Sequence, residues 1–137
     1  MNATILVLAG YILWIMLLLV ILATVRTAFS NKRTDKSLKF DPNGADLAGL
    51  GQRITRAHMN TVESFPFIGG VLLLAIATDS TVITNSLAFV LLAARIIQSC
   101  IHISSVDNRA ITLRFIFFMI QLAICCFWLV RIIQKFV

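Results

Sequence analysis

The chain has 137 residues, of which 59% are hydrophobic and only 13% charged, with a mean hydropathy of +0.93. A soluble domain of this length would be about half apolar and about a quarter charged, so one small core cannot bury this excess and a soluble globular protein is excluded. Its 12 Lys and Arg against 6 Asp and Glu leave a net charge of +6, a balance that in a soluble chain suggests nucleic acid; too little polar surface exists here for that partner.

Residues 1–25 carry no charge, enough for a helix across a bilayer, which needs about 20 residues. A secretory leader would show a basic start, a shorter apolar stretch and a small-residue cleavage site. Without these, the segment is expected to be a retained anchor helix, over residues 4–29. The loop 30–45 follows. It holds Lys32, Arg33, Lys36 and Lys39 and the turn-forming run Asp41-Pro42-Asn43-Gly44. Asp46 is the expected N-cap of the second helix.

Three further apolar stretches, 64–78, 80–94 and 115–130, are each about 15 residues between charges, short of the length needed to span. Asp79, Ser80 and Thr81 leave room only for a hairpin turn. The second helix must therefore extend backwards, giving 46–77, and the third forwards, giving 81–105. The fourth is expected over 109–133. Pro66 lies inside the second helix, where a membrane helix tolerates it. This predicts an all-α membrane protein: a four-transmembrane-helix bundle whose polar extensions all fall toward one side. Lys and Arg in the short first loop put that side in the cytoplasm by the positive-inside rule. Both termini then lie on the non-cytoplasmic side, against the mild opposition of Arg131 and Lys135.

The polar extensions carry a constellation. Arg53, Arg56, Asn60 and Glu63 are spaced three, four and three apart, within an arc of roughly 80° at about 100° per residue. The third helix places Arg95, Gln98, Ser99 and His102 on one face, and the fourth adds Arg109, Arg114 and Gln121. Ionisable groups inside a membrane are costly and face a bundle interior or wet cavity. Glu63 pairing with a neighbouring Arg would merely tie helices together, but one acid faces five arginines. Some of those arginines can snorkel to headgroups; unpaired guanidinium groups otherwise suit a small carboxylate guest. Cys100, Cys125 and Cys126 lie in apolar stretches and show no metal spacing, so no metal site or disulfide framework is expected. A small four-span cation exporter would need an embedded carboxylate in its first helix, and none precedes Arg26.

The string Arg56-Ala57-His58-Met59-Asn60-Thr61-Val62-Glu63-Ser64-Phe65-Pro66-Phe67 resembles the signature of the MAPEG family, membrane-associated proteins in eicosanoid and glutathione metabolism. The resemblance runs over essentially the whole chain. It implies a homotrimer of four-helix subunits that binds glutathione as co-substrate between neighbours, near the cytosolic face of a bacterial inner membrane or a eukaryotic endomembrane. By resemblance Arg56, Asn60 and Glu63 map onto glutathione contacts, with Glu63 receiving the ammonium group, and Arg26, Arg53, Arg95, Gln98 and His102 are further candidates for that site. The family also implies an Arg near the start of the fourth helix beside the sulfur, since the thiolate and not the thiol is the nucleophile. Arg109, seven residues after His102, takes that place in the preferred alignment, and Arg114 is the alternative. Met59, Gln98 and His102 depart from the eicosanoid-synthesising branches. What the resemblance then implies is a generic transferase or peroxidase in detoxification, acting on a lipophilic electrophile or a hydroperoxide; the alternative is a non-enzymatic lipid-binding or scaffold member.

Overall fold

The structure, a computed structural model, describes residues 2–137. Five helices follow one another: α1 (Ala3–Lys32), α2 (Leu50–Ala77), α3 (Thr81–Asn85), α4 (Ala88–Ser104) and α5 (Asn108–Gln134). No strand occurs among the described residues. α1, α2 and α5 are long and apolar enough to cross a membrane, whereas α4 has 17 residues and a rise of about 25 Å.

α1 is apolar all round, so its own pattern selects no inward face. Packing selects one: Thr4, Val7, Tyr11, Leu18 and Leu22 are buried at helical spacing against α2 and α4. α2 runs unbroken through Pro66, which leaves the Val62 carbonyl without its helical donor. Most of the core lies toward the end of the bundle remote from the basic loop. There Tyr11, Ile68, Leu72, Leu91, Trp128 and Ile132 pack together.

Two expectations need correction. The helix expected over 81–105 is two helices, interrupted at Ser86 and Leu87. Asn85 Oδ1 accepts from the Thr4 backbone N–H at 2.9 Å and the Thr4 hydroxyl at 2.8 Å, and the Thr4 and Thr84 hydroxyls meet at 2.6 Å. The end of α3 thereby satisfies an orphan donor in the first turn of α1, and side chains that compete with helical bonding favour a break there. Second, Asp46 is not the cap of α2, which starts at Leu50 after Gly49 in a left-handed conformation (φ +62°).

Asp46 instead pins the loop. Its Oδ2 accepts from Arg33 Nη2 at 3.1 Å, the only ion pair among the described residues. The Arg33 guanidinium also lies over the rings of Phe29 and Phe40, at 4.9 and 5.0 Å, and donates to the Lys39 carbonyl. Leu47 and Ile54 close a small apolar cluster beneath this loop with Leu22. At the opposite end Lys135 donates from Nζ to the Thr78 and Asp79 carbonyls and Ser80 Oγ, at 3.0, 2.9 and 3.0 Å. A cation at the C-terminus of α2 matches the helix dipole.

The pinned loop has a pH dependence of definite sign. Partial burial works to raise the Asp46 carboxyl, but hydrogen bonds from the backbone at Asp41 and at Asp46 itself, together with Arg33, outweigh it and hold it below the ordinary value. The folded value is thus the lower one. Stabilisation is complete above the unfolded value of about 4 and is lost as pH falls through the folded value. Hydrogen-exchange protection of the loop amides, taken relative to intrinsic rates, is expected to hold at neutral pH and to fall below about pH 4. Asp46→Asn is expected to show the low protection at every pH. Protection that persists in acid would assign the loop's order to the Phe29–Arg33–Phe40 stack alone.

Candidate functional site

Four helices contribute polar groups at one depth, on the basic-loop side of the apolar core. Arg95 on α4 is fully buried, with 0% exposure. Its Nη1 donates to Asn60 Oδ1 on α2 at 2.8 Å, and its guanidinium carbon lies 5.9 Å from the Tyr11 ring centroid. The Tyr11 hydroxyl in turn donates to the Thr61 carbonyl at 3.0 Å. Ser99, one turn beyond Arg95, accepts from Trp14 Nε1 at 3.1 Å and meets the Thr61 hydroxyl at 3.2 Å. Buried Gln121 on α5 donates from Nε2 to Gln98 Oε1 at 2.9 Å and to the Phe117 carbonyl at 2.8 Å. Each helix of the bundle is therefore tied to another by a hydrogen bond of high sequence separation, in a setting where water competes little.

In front of this layer opens a pocket of about 450 Å³ between α2, α4 and α5. Arg56 and Asn60 form its α2 wall, Gln98 and His102 its α4 wall, and Arg114 stands on α5 with Ile111, Phe115 and Phe118. The Arg114 guanidinium lies 2.9 Å from His102 Nδ1. No carboxylate lines this pocket, so two guanidinium groups face it without a counter-ion. One wall is cationic and polar and the other aromatic, which suits a guest with an anionic end and an apolar end.

The candidates from the sequence separate accordingly. Arg56, Asn60, Gln98, His102 and Arg114 share the pocket, with Arg95 behind it. Arg109 is exposed on the first turn of α5 and does not line it. Arg26 and Arg53 also lie outside; each has a buried Nε with no partner, and Arg26 sits over the Phe40 ring at 5.5 Å. Glu63 is exposed and pairs with no Arg, so an internal Glu–Arg tie is not what holds the helices. Tyr11, Trp14 and the aromatic wall of α5 were not legible as site residues. The available signal was the isolation of the chain's only Tyr, with Trp14 three residues on, in an otherwise aliphatic helix.

The sequence model described as the MAPEG family matches residues 4–134, and the chain belongs to that family, whose members include glutathione transferases and related enzymes. No curated protein and no solved structure matches the chain.

The buried layer predicts a graded response at Tyr11. Tyr11→Phe removes the bond to Thr61 but keeps the ring under Arg95, and is expected to cost about 1 kcal/mol. Tyr11→Leu also removes the cation–π contact and is expected to cost a further roughly 1 kcal/mol. Unfolding in detergent, followed by circular dichroism, measures both; equal losses would show that the ring contributes nothing.

Proposed function

We propose that the chain is a membrane-embedded glutathione transferase or peroxidase, a four-span subunit of a homotrimer with its pocket toward the cytoplasm. The observation that carries this reading is the pocket shared by Arg56, Asn60 and Arg114 and lacking any acid, in a chain of this family. Glutathione has two carboxylates, an ammonium group and a thiol. Arg56 and Asn60 bind carboxylate, and Glu63 receives the ammonium from the exposed side of α2. Arg114, rather than Arg109, is the cation we assign to the sulfur, supported by its position in the pocket wall.

A cation beside the sulfur favours the thiolate, and the thiol proton leaves to water. With an aryl halide, the thiolate forms a carbon–sulfur bond and halide departs. With a hydroperoxide, the thiolate takes the distal oxygen and an alcohol leaves; a second glutathione then gives the disulfide and water. Ile111, Phe115 and Phe118 hold the apolar part of that second substrate next to the sulfur.

The same residues favour an oligomer. Arg56 and Glu63 are exposed on α2, at a depth where facing lipid would be costly. A second subunit laid against this face removes that cost and encloses the pocket. The basic loop, held by Arg33 and Asp46, supports the cytoplasmic orientation.

Glutathione added to the purified protein is expected to give thiolate absorbance near 240 nm, a wavelength characteristic of thiolates. Arg114→Ala should abolish that signal while Arg109→Ala keeps it. Arg56→Ala should weaken glutathione binding by about tenfold, about 1.4 kcal/mol, with the trimer intact by native mass measurement. Absence of thiolate signal in the unmutated protein would favour a non-enzymatic lipid binder on the same scaffold.

A further inference from the structure

Three of the pocket's polar side chains are ambidextrous: Asn60 and Gln98 carry an amide oxygen and an amide nitrogen, and His102 carries two ring nitrogens. Their orientations follow from partners that have only one hydrogen-bonding role. A guanidinium can only donate, so the atom of Asn60 that meets Arg95 Nη1 at 2.8 Å is the oxygen. For the same reason His102 accepts at Nδ1 from Arg114 and carries its proton on Nε2. A backbone carbonyl can only accept, so Gln121 turns Nε2 to the Phe117 carbonyl, and the Gln98 atom on that same nitrogen is the oxygen. Every acceptor atom of the three thereby already holds a hydrogen bond from a neighbouring side chain. What remains is Asn60 Nδ2, Gln98 Nε2 and His102 Nε2–H, none with a partner in the structure and none sealed in the interior.

We propose that Arg95 and Gln121 are positioning residues that, with Arg114 acting on His102, fix this cavity as a donor-rich receptor for an anionic acceptor group. Beside these three donors stand Arg56 and Arg114, so five side chains present N–H groups to the cavity and no carboxylate lines it. The cavity favours carboxylate or thiolate over an ammonium group, which can only donate and would meet N–H groups. The layer behind is itself imperfectly paired: Arg95 Nε and Nη2 and Gln121 Oε1 are buried with no partner. Unsatisfied buried groups are costly, and a buried charge held only for packing is commonly replaced by an apolar side chain without loss. What they do to Asn60 and Gln98 gives them a role beyond packing. The inference rests on the pocket of the proposed function but not on glutathione being its guest.

The test uses the purified full-length protein in detergent and two probes, glutathione and glutarate, by calorimetry, with thermal unfolding alongside. Asn60→Asp swaps a pocket donor for an acceptor while giving Arg95 a carboxylate partner. It is expected to leave the unfolding midpoint unchanged or raised, yet to weaken both probes by about tenfold or more, about 1.4 kcal/mol. Arg95→Met, which frees the Asn60 amide to turn, is expected to weaken both probes, and Arg95→Lys, which keeps a donor, to restore part of the affinity. Should Arg95→Met fail to fold, Asn60→Asp and Arg95→Lys carry the comparison. Glutarate bound with this dependence but glutathione not bound would remove the proposed function and leave the receptor standing. Affinities unchanged in Asn60→Asp, or lost in Arg95→Lys as fully as in Arg95→Met, would overturn the positioning role with the function intact. Neither probe bound by the unmutated protein would overturn both.

Discussion

The bundle is organised around one fully buried guanidinium. Arg95 has no carboxylate partner among the described residues and meets only the Asn60 oxygen and the Tyr11 ring. An isolated charge in an apolar interior is among the most expensive things a fold can hold. Its presence accounts for the polar company at that depth: Asn60, Thr61, Ser64, Gln98, Ser99 and Gln121 are drawn from three helices, and Tyr11 and Trp14 from the fourth. Substituting any of them by an aliphatic residue would leave the remaining polar atoms poorer in partners. The cluster therefore behaves as a unit rather than as a sum of pairs.

The opposite end is built on different physics. There the helices meet through aliphatic and aromatic packing about Trp128 and Leu72. The polar contacts there cluster at helix ends and connecting turns. Asn85 takes the Thr4 N–H, and Lys135 takes the Thr78 and Asp79 carbonyls just past α2. These are local repairs of the kind a low-dielectric setting demands. The two ends thus differ in what could be altered without cost to a ligand: capping groups at one, the orienting layer at the other.

This division explains what could be read in advance. The three long helices and the polar faces follow from charge placement, because in a chain so apolar each charged residue is informative. Arg56, Asn60, Gln98, His102 and Arg114 fall together for that reason. The break at Ser86 was not legible, since it depends on Asn85 meeting Thr4 some 81 residues away in sequence. Likewise nothing in the spacing separates Arg109 from Arg114. The helix start at Asn108 turns the first outward and the second inward, and only the packed bundle fixes that rotation. Nor could the inward face of α1 be chosen, as an apolar stretch without periodicity carries no direction. Asp46 misled for a related reason: a residue type suited to capping was held more strongly by a cation in space than by the helix next to it.

The chain's net charge acquires a specific meaning in this light. Arg33 balances Asp46, Lys135 balances the end of a helix, and Arg95 is spent internally on Asn60. The arginines left facing the cavity, Arg56 and Arg114, have no acid opposite them. A protein needing only stability would have supplied one, because a lone pocket cation gains nothing from its neighbours and repels the next. On the function proposed above, the imbalance is relieved when an anion arrives from solution. Donors arrayed in advance also bind such a guest with little reorganisation, and they act more strongly where water is scarce. The unpaired charge and the fixed amides are therefore two expressions of one requirement, an anion that the fold leaves room for and does not itself provide.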